Sequence, residues 1–339
     1  MRALWLMRHG GADAWAVRET PDPVPAPGEV RIRVRASGLN FAELMARQGL
    51  YPDAPKPPAI LGYEAAGEID AVGEGVDPGR LGQRVVALTR FKGHAELLTV
   101  AAGAALPIPA AMPFEDAAAL PVTYLTAYHM LFRAASLRPG ESVLVHMAAG
   151  GVGTAVLQLC RTVEGVTTFG TASARKHDAL RANGCTHPID YHTTDYASEV
   201  RVLTGGRGVD IVLDPLGGRD TRKGYSLLRP GGRIVVYGFA NAQRGDRRNP
   251  LHLLRAGLGI PRFNPLALMS ANRGVIGVNI GHLWGEGALL AEEMAALLQL
   301  YGEGKIAPVI DVVLPLERAA EGYLRMQEGQ NVGKVMLTP

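Results

Sequence analysis

The sequence predicts an α/β protein of two parts, a doubly wound parallel sheet beside a mostly-β unit. Its 339 residues exceed one ordinary core, at roughly 150 residues per domain. The segment 1–121 reads as short strands and turns without a βαβ rhythm. From Val122 onward, apolar strand-like runs alternate with helical segments, the pattern that builds a parallel sheet covered on both faces.

The elements follow in order. Glu29 to Ala36 alternates charged residues with Val30, Ile32 and Val34, the period-2 signal of a half-buried strand. Gly62 to Val72 and Arg84 to Leu88 read the same way, with Gly73, Gly75, Pro78 and Gly79 turning the chain between them. Pro21 to Pro27 and Tyr51 to Pro58 are loops. The second part supplies strands at Ser142–His146, Val166–Phe169, Val209–Leu213, Arg233–Tyr237 and Val275–Val278. Helices at Val152 to Val163 and Arg175 to Asn183 fit between them. A helix at Ala288 to Tyr301 precedes strands at Val309–Val313 and Lys334–Leu337, which are expected to return to the first part. The expected boundaries are therefore 1–121, 122–282 and 283–339.

Composition excludes several classes. With 47% hydrophobic and 20% charged residues the chain is globular. Its 42 Gly and 23 Pro show no Gly-X-Y period. Thirty-five Lys and Arg against 32 Asp and Glu leave +3, spread without a basic arm for nucleic acid. The apolar stretch after Met1 is too short for a signal peptide. No run of about 18 uncharged apolar residues predicts a membrane-spanning helix. Two cysteines, Cys160 and Cys185, make no disulfide framework, so a reducing, cytoplasmic setting is expected.

The strand Ser142–His146 runs into Met147-Ala-Ala-Gly-Gly-Val-Gly153 and then an apolar helix. This is G-x-G-x-x-G with Ala148 in the first place: Gly150 admits a pyrophosphate to the backbone, and Gly153 lets helix pack on strand. The helix N-terminus then offers oriented N–H groups to the anion. After the next strand comes Thr171-Ala-Ser-Ala-Arg-Lys176, with no carboxylate for a ribose 2′-hydroxyl. Ser173 can donate to a 2′-phosphate, and Arg175 or Lys176 can pair with its charge, which favours NADP(H) over NAD(H).

Five segments carry a family resemblance: Gly38 to Tyr51, Val145 to Gly153, Phe169 to His177, His187 to Tyr196, and Asn331-Val-Gly-Lys334. With them the chain resembles the zinc-free quinone oxidoreductases of the medium-chain dehydrogenase/reductase superfamily, in the vesicle amine transport protein-like branch. That resemblance implies a GroES-like catalytic domain, a Rossmann domain, NADPH in the cleft between them, and a homodimer. It implies Gly150, Gly151 and Val152 under the pyrophosphate, with Ala149 and Gly153 of the same turn. It sets Ser173, Lys176 and Tyr191 around the 2′-phosphate. Asn40 and Thr126 belong near the nicotinamide, and Tyr237 and Asn331 complete the cofactor-binding set.

Zinc-dependent relatives use a Cys, a His in Gly-His-Glu, and a later Cys or Glu; the matching positions here are Asn40, Tyr63 and Val122. None offers a thiolate or imidazole, so no metal is expected. A site without Lewis-acid help suits acceptors already electron-poor by conjugation, namely quinones and α,β-unsaturated carbonyls. Asn40, Tyr51 and Tyr63 are the expected catalytic residues, orienting the acceptor or donating to its oxygen. A tyrosine near pKa ~10 is a poor acid at pH 7, so water can deliver the proton.

The alternatives are an enone or enal reductase, or a peripheral lipid-binding protein on the same fold. The last rests on Phe239 to Arg273, where six arginines (244, 247, 248, 255, 262, 273) face one acid, Asp246, among many leucines. Such a segment is a lid, a dimer contact or a weak membrane-contact surface. The loops 40–60, 239–272 and 280–286 shape the acceptor end of the cleft.

Overall fold

The computed structural model describes residues 1–243, 245 and 249–339. Arg244, Asp246, Arg247 and Arg248 of the arginine-rich segment lie outside the described residues.

In the first domain, Glu29–Gly38 is the spine of a sheet, and its alternation is realised. Val30, Ile32, Val34 and Ala36 point inward, while Arg33 and Arg35 face solvent. There Arg31 and Arg33 pair with Asp70, and Arg35 with Glu68, on the neighbouring strand Glu64–Val72. The sheet runs in the order Ile310–Pro315, Lys334–Thr338, Glu29–Gly38, Glu64–Val72, Arg84–Leu88, Ala105–Pro107, with Leu97–Ala101 also paired to the spine. Two of its strands thus come from the end of the sequence, so the first domain is discontinuous. A helix that the strand-and-turn reading passed over, Phe41–Arg47, leaves the spine immediately and buries its Leu44 and Ala46.

The second domain holds, among the described residues, one parallel sheet in the order His187–Asp190, Thr167–Ala172, Ser142–Val145, Val209–Asp214, Leu228–Val236, Gly274–Gly277. In sequence order this is 3-2-1-4-5-6, and it changes direction between the first and fourth strands. That switch point is where doubly wound sheets bind ligands. Every residue of Val209–Asp214 is buried, as expected for a strand covered on both faces.

One helix packs into a cluster shared by both domains, which also holds Ala36, Val86 and Met336. The helix Gly287–Gly302, placed by sequence in the returning segment 283–339, buries Leu290, Met294 and Leu297 in the cluster that contains Val143, Val145 and Leu157. Its apolar side docks against the helical run 114–134, and the chain rejoins the first sheet only at Ile310–Pro315.

Candidate active site

A cleft of about 2130 Å³ runs between the domains. Asn40, Tyr51, Tyr63, Val122, Thr126, Ala149, Gly150, Gly151, Val152, Gly153, Ser173, Lys176, Tyr191, Tyr237 and Asn331 all line it. The site positions read from the sequence therefore share one wall-to-wall space.

Its floor is the turn from Ser142–Val145 into the helix Gly151–Cys160. Met147 adopts φ 51°, and its carbonyl accepts the Gly150 N–H at 2.9 Å, which reverses the chain sharply. Gly150 caps the helix in an extended conformation, leaving first-turn N–H groups facing the cleft for an anion. A Cβ on Gly153 would stand 2.5 Å from Met147 O and 2.6 Å from Ala148, so this position requires glycine for helix and strand to touch.

One end of the cleft carries Ser173, Lys176 and Tyr191. Tyr191 is exposed and leans on His192, ring centroids 4.2 Å apart, so its other face is open for stacking. Lys176 is buried, and that burial, with Arg175 beside it, lowers its pKa to about 8.

At the other end stands a buried polar cluster. Glu64 is fully buried; its Oε1 accepts the Asn40 amide at 3.1 Å and pairs with Lys334 Nζ, and its Oε2 accepts the Val122 N–H at 2.8 Å. Lys334 Nζ also donates to Asn40 Oδ1 at 2.6 Å. Burial raises the Glu64 carboxyl, while Lys334, the Val122 N–H and the Asn40 amide favour its anion. Below it, Glu43 Oε2 accepts the Asn40 N–H at 3.0 Å and the Tyr323 hydroxyl at 2.8 Å, and Glu43 Oε1 lies 3.1 Å from His94 Nε2.

This cluster corrects one expectation. Asn40 Nδ2 donates to Gly38 O at 3.0 Å and to Glu64 at 3.1 Å. A primary amide has two hydrogens, so neither is left for an acceptor, and Asn40 acts here as a positioning residue. Tyr63 is different: its hydroxyl is buried, and the group that acts on it as a hydrogen-bond partner is the Tyr51 hydroxyl. Tyr51 sits edge-on to it, centroids 6.3 Å apart. Burial, reinforced by neighbouring charge, raises both phenol pKa values.

The same cluster answers whether zinc fits. Of the three positions that hold it in relatives, Val122 has no donor and Tyr63 is a phenol held neutral. The Asn40 oxygen is already taken by an ammonium, which would repel a divalent cation. The residues present do not fit a zinc site.

Sequence reasoning missed Glu43, Glu64, Lys334 and His146. Asn40-x-x-Glu43 is a helix-capping signature, and Glu64 and Lys334 lie within motifs already singled out. His146 opens the turn after the strand Ser142–Val145; its Nδ1 meets Thr171 Oγ1 at 3.1 Å while buried Nε2 has no partner. Burial lowers its pKa against the opposing pull of Asp214 and Asp220, so the ring stays neutral.

Residues 26–109 match the alcohol dehydrogenase GroES-like domain, and 183–337 match the zinc-binding dehydrogenase family. The human synaptic vesicle membrane protein VAT-1 homolog is 52% identical over 100% of this chain and 86% of its own length. The chain belongs to the medium-chain dehydrogenase/reductase superfamily, in the VAT-1 branch. In this branch, the crystal structure of the human VAT-1 homolog-like protein matches with a TM-score of 0.87 at 38% identity, covering 100% of this chain and 98% of that one. The Escherichia coli quinone oxidoreductase complexed with NADPH matches at 0.86 and 27% identity, covering both chains fully. The zinc-free donor set at Asn40, Tyr63 and Val122 thus occurs in a chain whose residues 183–337 match a family named for zinc.

Proposed function

We propose that the protein is a zinc-independent oxidoreductase that passes hydride from NADPH to quinones or other conjugated carbonyl acceptors. The observation that carries this reading is the Tyr51–Tyr63 phenol pair lining the cleft, beside a metal position where Asn40 is engaged by Lys334. Resemblance to an NADPH-complexed quinone oxidoreductase supports the cofactor assignment.

Bound NADPH supplies the hydride. The Gly151–Cys160 helix N-terminus takes the pyrophosphate, Ser173 and Lys176 take the 2′-phosphate, and Tyr191 stacks at that end. At the other end Tyr63, with Tyr51 edge-on, donates a hydrogen bond to the acceptor oxygen as negative charge develops there. Its raised pKa keeps the phenol protonated, so it stabilises charge while solvent supplies the proton.

The test is NADPH consumption across quinones, enones, enals and simple aldehydes. Conjugated acceptors are expected to turn over; turnover confined to simple aldehydes or alcohols would overturn the reading. Tyr63→Phe is expected to lower kcat about 10²-fold with NADPH affinity unchanged. A loss below about threefold would make Tyr63 architectural.

A second role has its own support in the helices Pro250–Leu258 and Pro265–Ala271. Leu253 lines the cleft, while Leu251, Leu254, Leu258, Leu266 and Met269 face outward, all more than 60% exposed. Among the described residues no helix is long and apolar enough to cross a membrane. A peripheral lipid contact is the role such a face fits. Co-flotation with anionic liposomes that weakens with salt would support it, and absence of flotation at low salt would remove it.

A further inference from the structure

The two cations at the 2′-phosphate end are engaged with the chain itself. Arg175 Nη2 donates to Gly329 O at 2.8 Å, and Lys176 Nζ donates to Asn331 O. Both carbonyls lie between the helix Ala319–Gln327 and the strand Lys334–Thr338. This connection is pinned along its length. Val332 N–H donates to Asp311 Oδ1 at 3.0 Å, and Asp311 is itself paired with Arg325. Asn331 Nδ2 donates to Gly333 O at 2.8 Å, and Gly333 N–H to Ala149 O at 2.7 Å, inside the phosphate turn. Gly333 has φ 80°, and a Cβ there would stand 2.1 Å from Val309 O. The next residue is Lys334, which holds Asn40 and Glu64. One strap, 329–334, therefore runs from the 2′-phosphate end, across the pyrophosphate turn, to the polar cluster at the reaction end.

We propose that this strap senses the cofactor's 2′-phosphate: a phosphate seated on Ser173 and Lys176 draws the ammonium from Asn331 O, and the strap carries that release to Gly333, Lys334 and Asn40. This rests on the NADPH reading above. The competition favours the phosphate, since an anion adds a full charge–charge attraction to the ammonium that a neutral carbonyl lacks. The carboxylate that acts on Lys176, Asp311, is itself paired with Arg325. NADPH and NADH then differ in kcat at saturation and not in affinity alone, since only the former releases the strap.

Adenosine 2′,5′-bisphosphate isolates the effect, for it carries the phosphate and lacks the nicotinamide. Amide hydrogen exchange of the whole chain reads Gly333 and Lys334, whose N–H groups bond to Ala149 O and Val309 O. With saturation verified by calorimetry, the bisphosphate is expected to speed exchange at both amides about three- to tenfold, the worth of one hydrogen bond. Adenosine 5′-monophosphate is expected to leave both unchanged. Lys176→Met should exchange at the fast rate without ligand. Saturating bisphosphate with unchanged or slowed exchange overturns the strap. Absence of any binding heat overturns the NADPH reading together with it, so the two failures are distinguishable.

Discussion

Lys176 is a buried ammonium whose hydrogen bond goes to a carbonyl, and its pKa falls to about 8 through burial and the repulsion of Arg175 and Arg325, with Asp311 opposing. Below pH 8 it is already charged and meets a 2′-phosphate directly; above, binding must first add a proton. NADPH affinity is therefore expected to fall as pH rises through 8, by up to about tenfold per unit, while NADH affinity stays level. Titrations at pH 7 and 9 measure this, and Lys176→Ala should abolish the difference while raising the KM for NADPH far more than for NADH. Lys334 carries a second prediction. Lys334→Met strands the buried Glu64 charge and should cost about 3–5 kcal/mol in urea denaturation. Lys334→Met with Glu64→Gln should recover most of it, and recovery of less than half would place the cost in packing instead. The types at Asn40, Tyr63 and Val122 were legible because chemistry restricts what can bind a metal. The closure of Asn40 onto Glu64 and Lys334 was not, because it joins residues from distant strands.

At the level of elements, the strand–turn–helix at 142–160 was readable because each position has its own steric reason. Gly153 is the sharpest: Gly153→Ala pushes a methyl against Met147 O. It should destabilise by about 1–3 kcal/mol and weaken NADPH by displacing the N–H groups; thermal unfolding and cofactor titration read the two effects. The spine Glu29–Gly38 was equally legible, its inward and outward sides being written as alternating Val/Ile and Arg. Phe41–Arg47 escaped because it is short and follows a strand without a turn; its clue was the pair Asn40 and Glu43. Gly287–Gly302 was found as a helix but its partners were not, since an apolar stripe states that it is covered and not by what.

For the whole molecule, a cofactor lying in the cleft touches both domains, so it should stabilise them as one unit. At a hundred times its Kd, NADPH is expected to add about 2.7 kcal/mol, raising the thermal midpoint of a single transition. Two transitions, only one of them moving, would show that it contacts one domain alone. The split first domain was foreseeable from strand-like segments near the end of the chain, and the strand order supplies what sequence lacked. Lys334–Thr338 lies between Ile310–Pro315 and the spine Glu29–Gly38, inside the sheet and not at its rim. This has a consequence for synthesis. Domains generally fold as units in the order they leave the ribosome, but here the first to emerge is the last to be completed. The Ser37–Gly38 end of the spine must wait, unpaired on one side, until the entire second domain has been made, and a stop codon before Lys334 would leave that end open for good.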